Sequence, residues 1–148
     1  VNDASNTLLR DTSHFYHWRD TNSATNGGNS GSVGNSTICN NTLSGIGDGN
    51  CNTQNYVAGV NAANLCGAND WRLPTVNELE SIHHRGQTNA LPSIDTTFFP
   101  NTIRGGHWTA TTLAIDPSGA FGLNFHTSVI NANGKSGTLG IFVVRDAP

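Results

Sequence analysis

The sequence predicts an α+β domain in which two helices pack on a sheet of short antiparallel strands, with long loops between them. Residues 52–65 and 76–84 carry apolar residues at helical spacing. The second half of the chain instead holds short aromatic and β-branched runs separated by glycine-rich turns. The chain has 148 residues, which suits a single domain over residues 1–148.

The first predicted helix covers residues 52–65. Asn52 or Thr53 can cap its first turn, and Gly67 stands just past its end, where a helix commonly stops. Its apolar residues fall on one face: Tyr56, Val57, Val60 and Ala63.

The second predicted helix covers residues 76–84 and starts from a capping box. Thr75 can accept a hydrogen bond from the backbone three residues on, and Glu78 can reach back to the backbone of Thr75. Leu79 and Ile82 follow at helical spacing, and Gly86 ends the segment.

Short strands are predicted on both sides of the helices, at residues 6–10, 15–19, 107–111, 120–126, 128–132 and 138–145. Residues 21–52 are rich in Gly, Ser, Asn and Thr and lack hydrophobic periodicity, so we expect a long loop held by cysteine. A disordered linker is the alternative for this stretch.

The composition is typical of secreted and cell-surface proteins. Only 11% of the residues are charged, against about 25% in typical domains. The net charge is −3 and the cations are scattered, so no basic stripe for nucleic acid is expected. No segment approaches the roughly 20 apolar residues of a membrane helix. The chain contains no Met, which signal-peptide removal, or trimming from a longer parent protein, explains.

Three cysteines, Cys39, Cys51 and Cys66, predict one disulfide with a leftover thiol, or an intermolecular bond. Sequence alone leaves all three pairings open. The spacings form no CxxC knuckle, so a zinc-thiolate site is not expected.

Calcium is the one cofactor for which the sequence offers donors, namely Asp48, Asn50 and Asp70. Ordinary turn chemistry explains the same residues. On a strand, the side chains of His14 and His17 point to opposite faces, and on a helix those of His83 and His84 point in different directions. Neither pair therefore predicts a metal site.

Nothing in the sequence predicts catalysis. The chain has no Gly-x-Ser-x-Gly motif, and Glu78 is occupied by capping. We therefore expect the domain not to be an enzyme. The segment Trp71-Arg72-Leu73-Pro74 can contact a ligand, but its place directly before a capped helix favours a structural role for Trp71, Arg72, Pro74, Thr75 and Glu78.

Taken together, several motifs resemble the family typified by the C-terminal domain of the Legionella collagen-like adhesin. They are Cys51–Val57, Val60–Gly67, Asp70–Leu79 with its Trp-Arg-Leu-Pro-Thr core, Leu91–Asp95, Phe98–Thr102, His107–Thr111, Phe121–Phe125 and Val143–Arg145. The likeness covers roughly residues 7–146.

The resemblance implies a C-type-lectin-like fold related to the formylglycine-generating-enzyme scaffold, in a secreted or cell-surface bacterial protein with an adhesive role. It also implies trimeric assembly and sulfated glycosaminoglycans as ligands. No cysteine follows Cys66, so the cysteine pair of formylglycine-generating enzymes is missing. Seven cations against ten acids argue against a sulfated ligand.

From these observations we predict an extracellular, non-catalytic binding or adhesion domain that recognises a glycan or another surface ligand. Trp108, His107, Asn124 and Arg104 are the predicted contacts, because loop-borne aromatic and amide groups can stack on and hydrogen-bond to sugars. The alternative is a structural subunit of a self-associating assembly such as a filament, a pilus or a trimer, whose short strands pair with a neighbour's edge.

Overall fold

The computed structural model describes residues 8–86 and 92–146, and in them the predicted α+β class is confirmed. Two α-helices lie against a five-stranded sheet. In chain order the elements are β1 (Tyr16–His17), α1 (Thr53–Ala62), a 3₁₀ turn (Leu65–Gly67), α2 (Val76–Ser81), β2 (Gly106–Thr112), β3 (Gly119–Asn124), β4 (Val129–Gly134) and β5 (Thr138–Ile141).

Helix α1 starts where the sequence predicts but ends earlier. Asn52 is the N-cap, and its side-chain oxygen accepts the backbone N–H of Asn55 at 2.9 Å. The predicted extension to Leu65 is wrong, because Asn64 and Cys66 take left-handed backbone angles with φ of 49° and 54°. That conformation cannot continue a right-handed helix.

Helix α2 has the predicted capping box, in which the Thr75 hydroxyl accepts the Glu78 N–H and the Glu78 carboxylate accepts the Thr75 N–H. The helix ends at Ser81 rather than at the predicted residue 84. The chain leaves the helix because His83 forms a β-bridge with Ile94 and the His84 N–H donates to Ser93.

The strand order across the sheet is β1-β5-β2-β3-β4. Three of the four strand pairs are antiparallel, but β2 and β5 run parallel, with His107 opposite Gly140 and Trp108 opposite Ile141. The sheet is therefore mixed, where the sequence predicted an antiparallel one. The parallel pair arises because β5 returns from the edge strand β4 to the far side of β2.

Some predicted strands are absent or shorter. Residues 8–10 form turns, so the strand predicted at 6–10 is not there, and residues 6 and 7 lie outside the described residues. The strands predicted at 15–19 and 138–145 shorten to β1 and β5. Beyond these strands only single bridges continue the pairing, Arg19 with Gly31 and Val144 with Arg72.

Residues 21–52 are built of turns and hold no helix or regular strand. A disulfide joins Cys39 to Cys51, and the Cys51 carbonyl accepts the His17 N–H at 3.0 Å. Leu43 is fully buried in the same cluster. These contacts fix the stretch against β1, so the disordered-linker alternative is wrong. Cys66 lies on the surface and takes no part in the disulfide.

Two indole rings occupy the centre of the fold. Trp18 and Trp108 are both fully buried and pack together with Ala120. The Trp18 indole N–H donates to the Thr109 carbonyl at 2.9 Å, and the Trp108 indole N–H donates to the Tyr16 carbonyl at 2.7 Å. Each ring therefore ties the β1 segment to β2 with its polar group satisfied. In the part of the chain that the structure describes, no helix has the length and apolar character to cross a membrane.

Candidate binding surfaces

Trp71 joins α1 to the segment that precedes α2. Its backbone N–H donates to the Asn61 side-chain oxygen at 2.8 Å, and its carbonyl accepts from the Asn61 amide at 2.9 Å. Its indole N–H donates to the Leu65 carbonyl at 3.0 Å. These three bonds hold the half-buried ring in place between the two helices.

Arg72 joins α2 to the closing segment of the chain. Its guanidinium forms a two-pronged pair with Glu78, with N–O distances of 2.7 and 2.9 Å, and also contacts Asp146. The arginine lowers the Glu78 pKa to about 2. Pro74 is buried, and its carbonyl accepts the Ala110 N–H of β2. Trp71, Arg72 and Pro74 thus make contacts that join elements, whereas Thr75 and Glu78 cap α2 and Glu78 also holds Arg72.

A groove of about 900 Å³ lies beside this segment, and we call it the threonine groove. Its walls are residues 19–27, the start of α1, residues 72–75 and residues 110–117. The lining is mainly uncharged: hydroxyls and amides come from Thr21, Asn22, Thr25, Gln54, Thr75, Thr111 and Thr112, and an apolar floor comes from Trp18, Val57, Leu73, Leu113 and Pro117.

Three charged side chains line the groove, and two of them, Asp20 and Arg72, are engaged within the protein, whereas the third is Arg19. The Asp20 carboxylate accepts the Thr25 hydroxyl and the Asn22 N–H. Arg72 is held by Glu78 and Asp146. Apart from Arg19, the groove therefore presents neutral hydrogen-bonding groups together with apolar side chains.

A buried lysine holds the outer wall of the groove. The Lys135 ammonium donates to the carbonyls of Asn26 and Asn29 at 2.9 and 2.7 Å and lies 3.8 Å from the centre of the Trp18 ring. Lys135 is 2% exposed, and this burial lowers its pKa. At Gly31, which follows the segment that Lys135 holds, φ is 77° and an added Cβ would come within 2.2 Å of the Trp18 carbonyl oxygen, so only glycine fits.

The four residues predicted to contact a ligand do not line the threonine groove. His107 and Trp108 were expected on an exposed loop, and this is wrong: both lie in β2 and are at most 4% exposed. Asn124 ends β3, and its side-chain oxygen accepts the N–H groups of His126 and Thr127. Arg104 is exposed. The structure does not bring these four residues together in the threonine groove.

The residues predicted to bind calcium, Asp48, Asn50 and Asp70, are engaged in other contacts. Asp48 accepts hydrogen bonds from Asn50 and Asn55, whereas Asp70 forms an ion pair with Arg145 at 3.0 Å. Within residues 8–86 and 92–146, no group of three or more His, Cys, Asp or Glu side chains is placed to hold a metal ion. The Asp48 contacts are those of a turn.

The groove residues were missed because they come from four distant segments. The available signal was composition: Asp20–Thr25 and Thr109–Thr112 concentrate hydroxyl and amide side chains at the two sides of the groove. Only the fold shows that these two short stretches face each other.

The fold and its surfaces define a small disulfide-bonded α+β domain with a neutral polar groove. The family model described as "Lcl C-terminal domain" matches residues 7–145, so the chain belongs to that family. The resemblance predicted from the motifs is confirmed. No curated protein and no solved structure matches the chain. Family and disulfide are consistent with a non-catalytic, adhesin-associated domain and compatible with an extracellular location.

Proposed function

We propose that this domain is an extracellular, non-catalytic adhesion module that binds a neutral glycan in the threonine groove. The observation that carries the proposal is the lining of the groove, in which hydroxyl and amide groups surround an apolar floor. Sugars present the same combination, with hydroxyls around the ring edge and C–H groups on the ring face.

Charge supports a neutral ligand over a sulfated one. A polyanion gains affinity from clustered cations. The cations that border the groove are Arg19 and Arg72, and Arg72 is already paired with two carboxylates. Binding through hydroxyls and amides needs no metal ion, so we propose that recognition is independent of calcium.

The test is a glycan array probed with the full chain, with and without a chelator. We expect neutral oligosaccharides to bind, equally well in both conditions. The double variant Thr21→Val with Gln54→Leu removes two hydrogen-bonding groups from the groove, and at about 0.5–1.5 kcal/mol each we expect affinity to fall by about fivefold to 150-fold. Thr138→Val, at an exposed position outside the groove, is the matched control.

A preference for sulfated glycans, loss of binding with chelator, or full binding by the double variant would contradict this proposal.

A second proposed function, a structural subunit of an extracellular assembly, is favoured by β4. This strand lies at the outer edge of the sheet, and Val129–Gly134 includes neither Pro nor Lys, the residues that commonly block edge pairing. Light scattering across a concentration series distinguishes the two functions. A subunit gains mass with concentration, whereas a monomeric adhesion module keeps a constant mass.

A further inference from the structure

A second concavity, which we call the aromatic cavity, lies on another part of the domain. Its volume is about 430 Å³, within the range of about 300–1,000 Å³ usual for small-molecule sites. Its walls come from residues 10–16, from α1, from residues 99–103 and from the end of the chain at residues 140–143. The threonine groove is lined by different residues, so the two surfaces are separate.

Five aromatic side chains line the cavity: Tyr16, Tyr56, Trp71, Phe99 and Phe142. Four of them form edge-to-face pairs, with ring centres 4.8 Å apart for Tyr16 and Tyr56 and 5.9 Å apart for Phe99 and Phe142. Burial raises the pKa of Tyr56 to about 12, so this phenol stays neutral. Neutral ring edges and faces favour a planar aromatic guest over an aliphatic or ionic one.

One buried polar side chain in this wall lacks a partner. His14 is 3% exposed, and neither ring nitrogen has a hydrogen-bond partner among the described residues. Leaving a buried polar group unsatisfied costs about 1–3 kcal/mol, so native proteins seldom keep one without a purpose. His14 lines the cavity, and although protein atoms cover both ring nitrogens in this structure, a small turn of the ring toward the cavity would let a bound molecule supply the missing hydrogen bond.

Both charged side chains that line the cavity, Arg10 and Asp11, interact within the protein. The Asp11 carboxylate accepts both the backbone N–H and the hydroxyl of Ser13. The Thr102 hydroxyl donates to the Phe99 carbonyl. The ring of His107, which also faces the cavity, contacts Phe125 and Phe142, and its Nδ1 lies 3.2 Å from the Gly105 carbonyl oxygen.

We propose that the aromatic cavity is a binding site for a small, neutral, planar aromatic molecule whose hydroxyl group hydrogen-bonds to His14. A hydroxyl can donate and accept, so it satisfies a neutral imidazole in either tautomer. This site is independent of the threonine groove and of the glycan that we propose there.

The test compares phenol with toluene, which has the same shape but no hydrogen-bonding group, in NMR titrations of the full chain. We expect phenol to shift the His14 ring signals, to show contacts to the His14 ring protons, and to bind about tenfold more tightly than toluene. In His14→Phe we expect the two affinities to become equal within about twofold, because the imidazole that distinguishes them is gone. The control, His126→Phe, changes an exposed histidine outside the cavity and should keep the tenfold preference.

The proposal is overturned if wild-type protein binds neither compound near its solubility limit, binds both equally, or keeps the phenol preference after His14→Phe. If His14→Phe does not fold, His14→Gln takes its place, and because it retains a donor and an acceptor it should still prefer phenol. In that case the NMR contacts between phenol and the His14 ring protons of the wild-type protein decide whether phenol binds at His14. The Thr21→Val and Gln54→Leu double variant should bind phenol like wild type. The proposals for the two sites can therefore fail independently of each other.

Discussion

Replacing Trp108 by alanine is expected to lower the free energy of unfolding by about 3–5 kcal/mol. The side chain is fully buried at the centre of the fold, where it packs with Trp18 and Ala120. Removing it opens a cavity and leaves the Tyr16 carbonyl without the indole N–H that it accepts at 2.7 Å. Since small domains are stable by only about 5–15 kcal/mol, this loss is a large share of the total. Urea denaturation followed by circular dichroism measures it.

Two control variants test whether the loss of stability comes from removing the buried indole. Trp108→Phe keeps most of the ring and loses the N–H, so we expect a clearly smaller loss than for alanine. Phe98→Ala removes a ring that is 77% exposed, and its effect should stay within about 0.5 kcal/mol. An alanine variant at position 108 that loses less than about 1 kcal/mol would show that the centre of the fold is packed differently.

Replacing Lys135 by methionine is expected to cost about 2–4 kcal/mol and to weaken glycan binding. The change removes two charge-assisted hydrogen bonds, each contributing about 1.5–3 kcal/mol, and the contact of the ammonium with the Trp18 ring. The lower desolvation cost of methionine offsets part of this loss. Because Asn26 and Asn29 flank Gly27, which lines the threonine groove, this wall should loosen.

Thermal denaturation gives the stability change, and titration with a glycan identified on the array gives the change in affinity. Arg104→Met is the matched control, since it removes one exposed cation and should alter neither quantity by more than about 0.5 kcal/mol. Unchanged stability and affinity in the Lys135 variant would mean that the lysine does not support the wall.

Local features of the fold were predictable because they depend on neighbouring residues. The capping box at Thr75 and Glu78, the N-cap at Asn52 and the positions of β2, β3 and β4 all follow from patterns within a few residues. The early end of α2 was not predictable, since the bridge from His83 joins it to Ile94, outside the helical segment. The early end of α1 falls where Asn64 turns left-handed, a conformation that asparagine takes more readily than most residues.

Long-range features were not predictable. The parallel pairing of β2 with β5 joins segments that are separated by two other strands. The burial of His107, Trp108 and Thr109 in a row contradicts the alternation expected for a strand with one face in water. It shows that this part of β2 is covered on both faces, a property that the sequence of the strand alone does not contain.

The place of β5 also governs when the domain can finish folding. Thr138–Ile141 comes last among the strands, yet it lies between β1 and β2 and pairs Leu139 with Tyr16. Contacts between such distant segments form slowly, because a long chain must close before they give any stability. A chain that emerges N-terminus first, from a ribosome or an export channel, therefore cannot complete the sheet until nearly all of its residues have emerged. The aromatic cavity, whose wall includes Gly140 and Ile141, then takes shape only after β5 has paired.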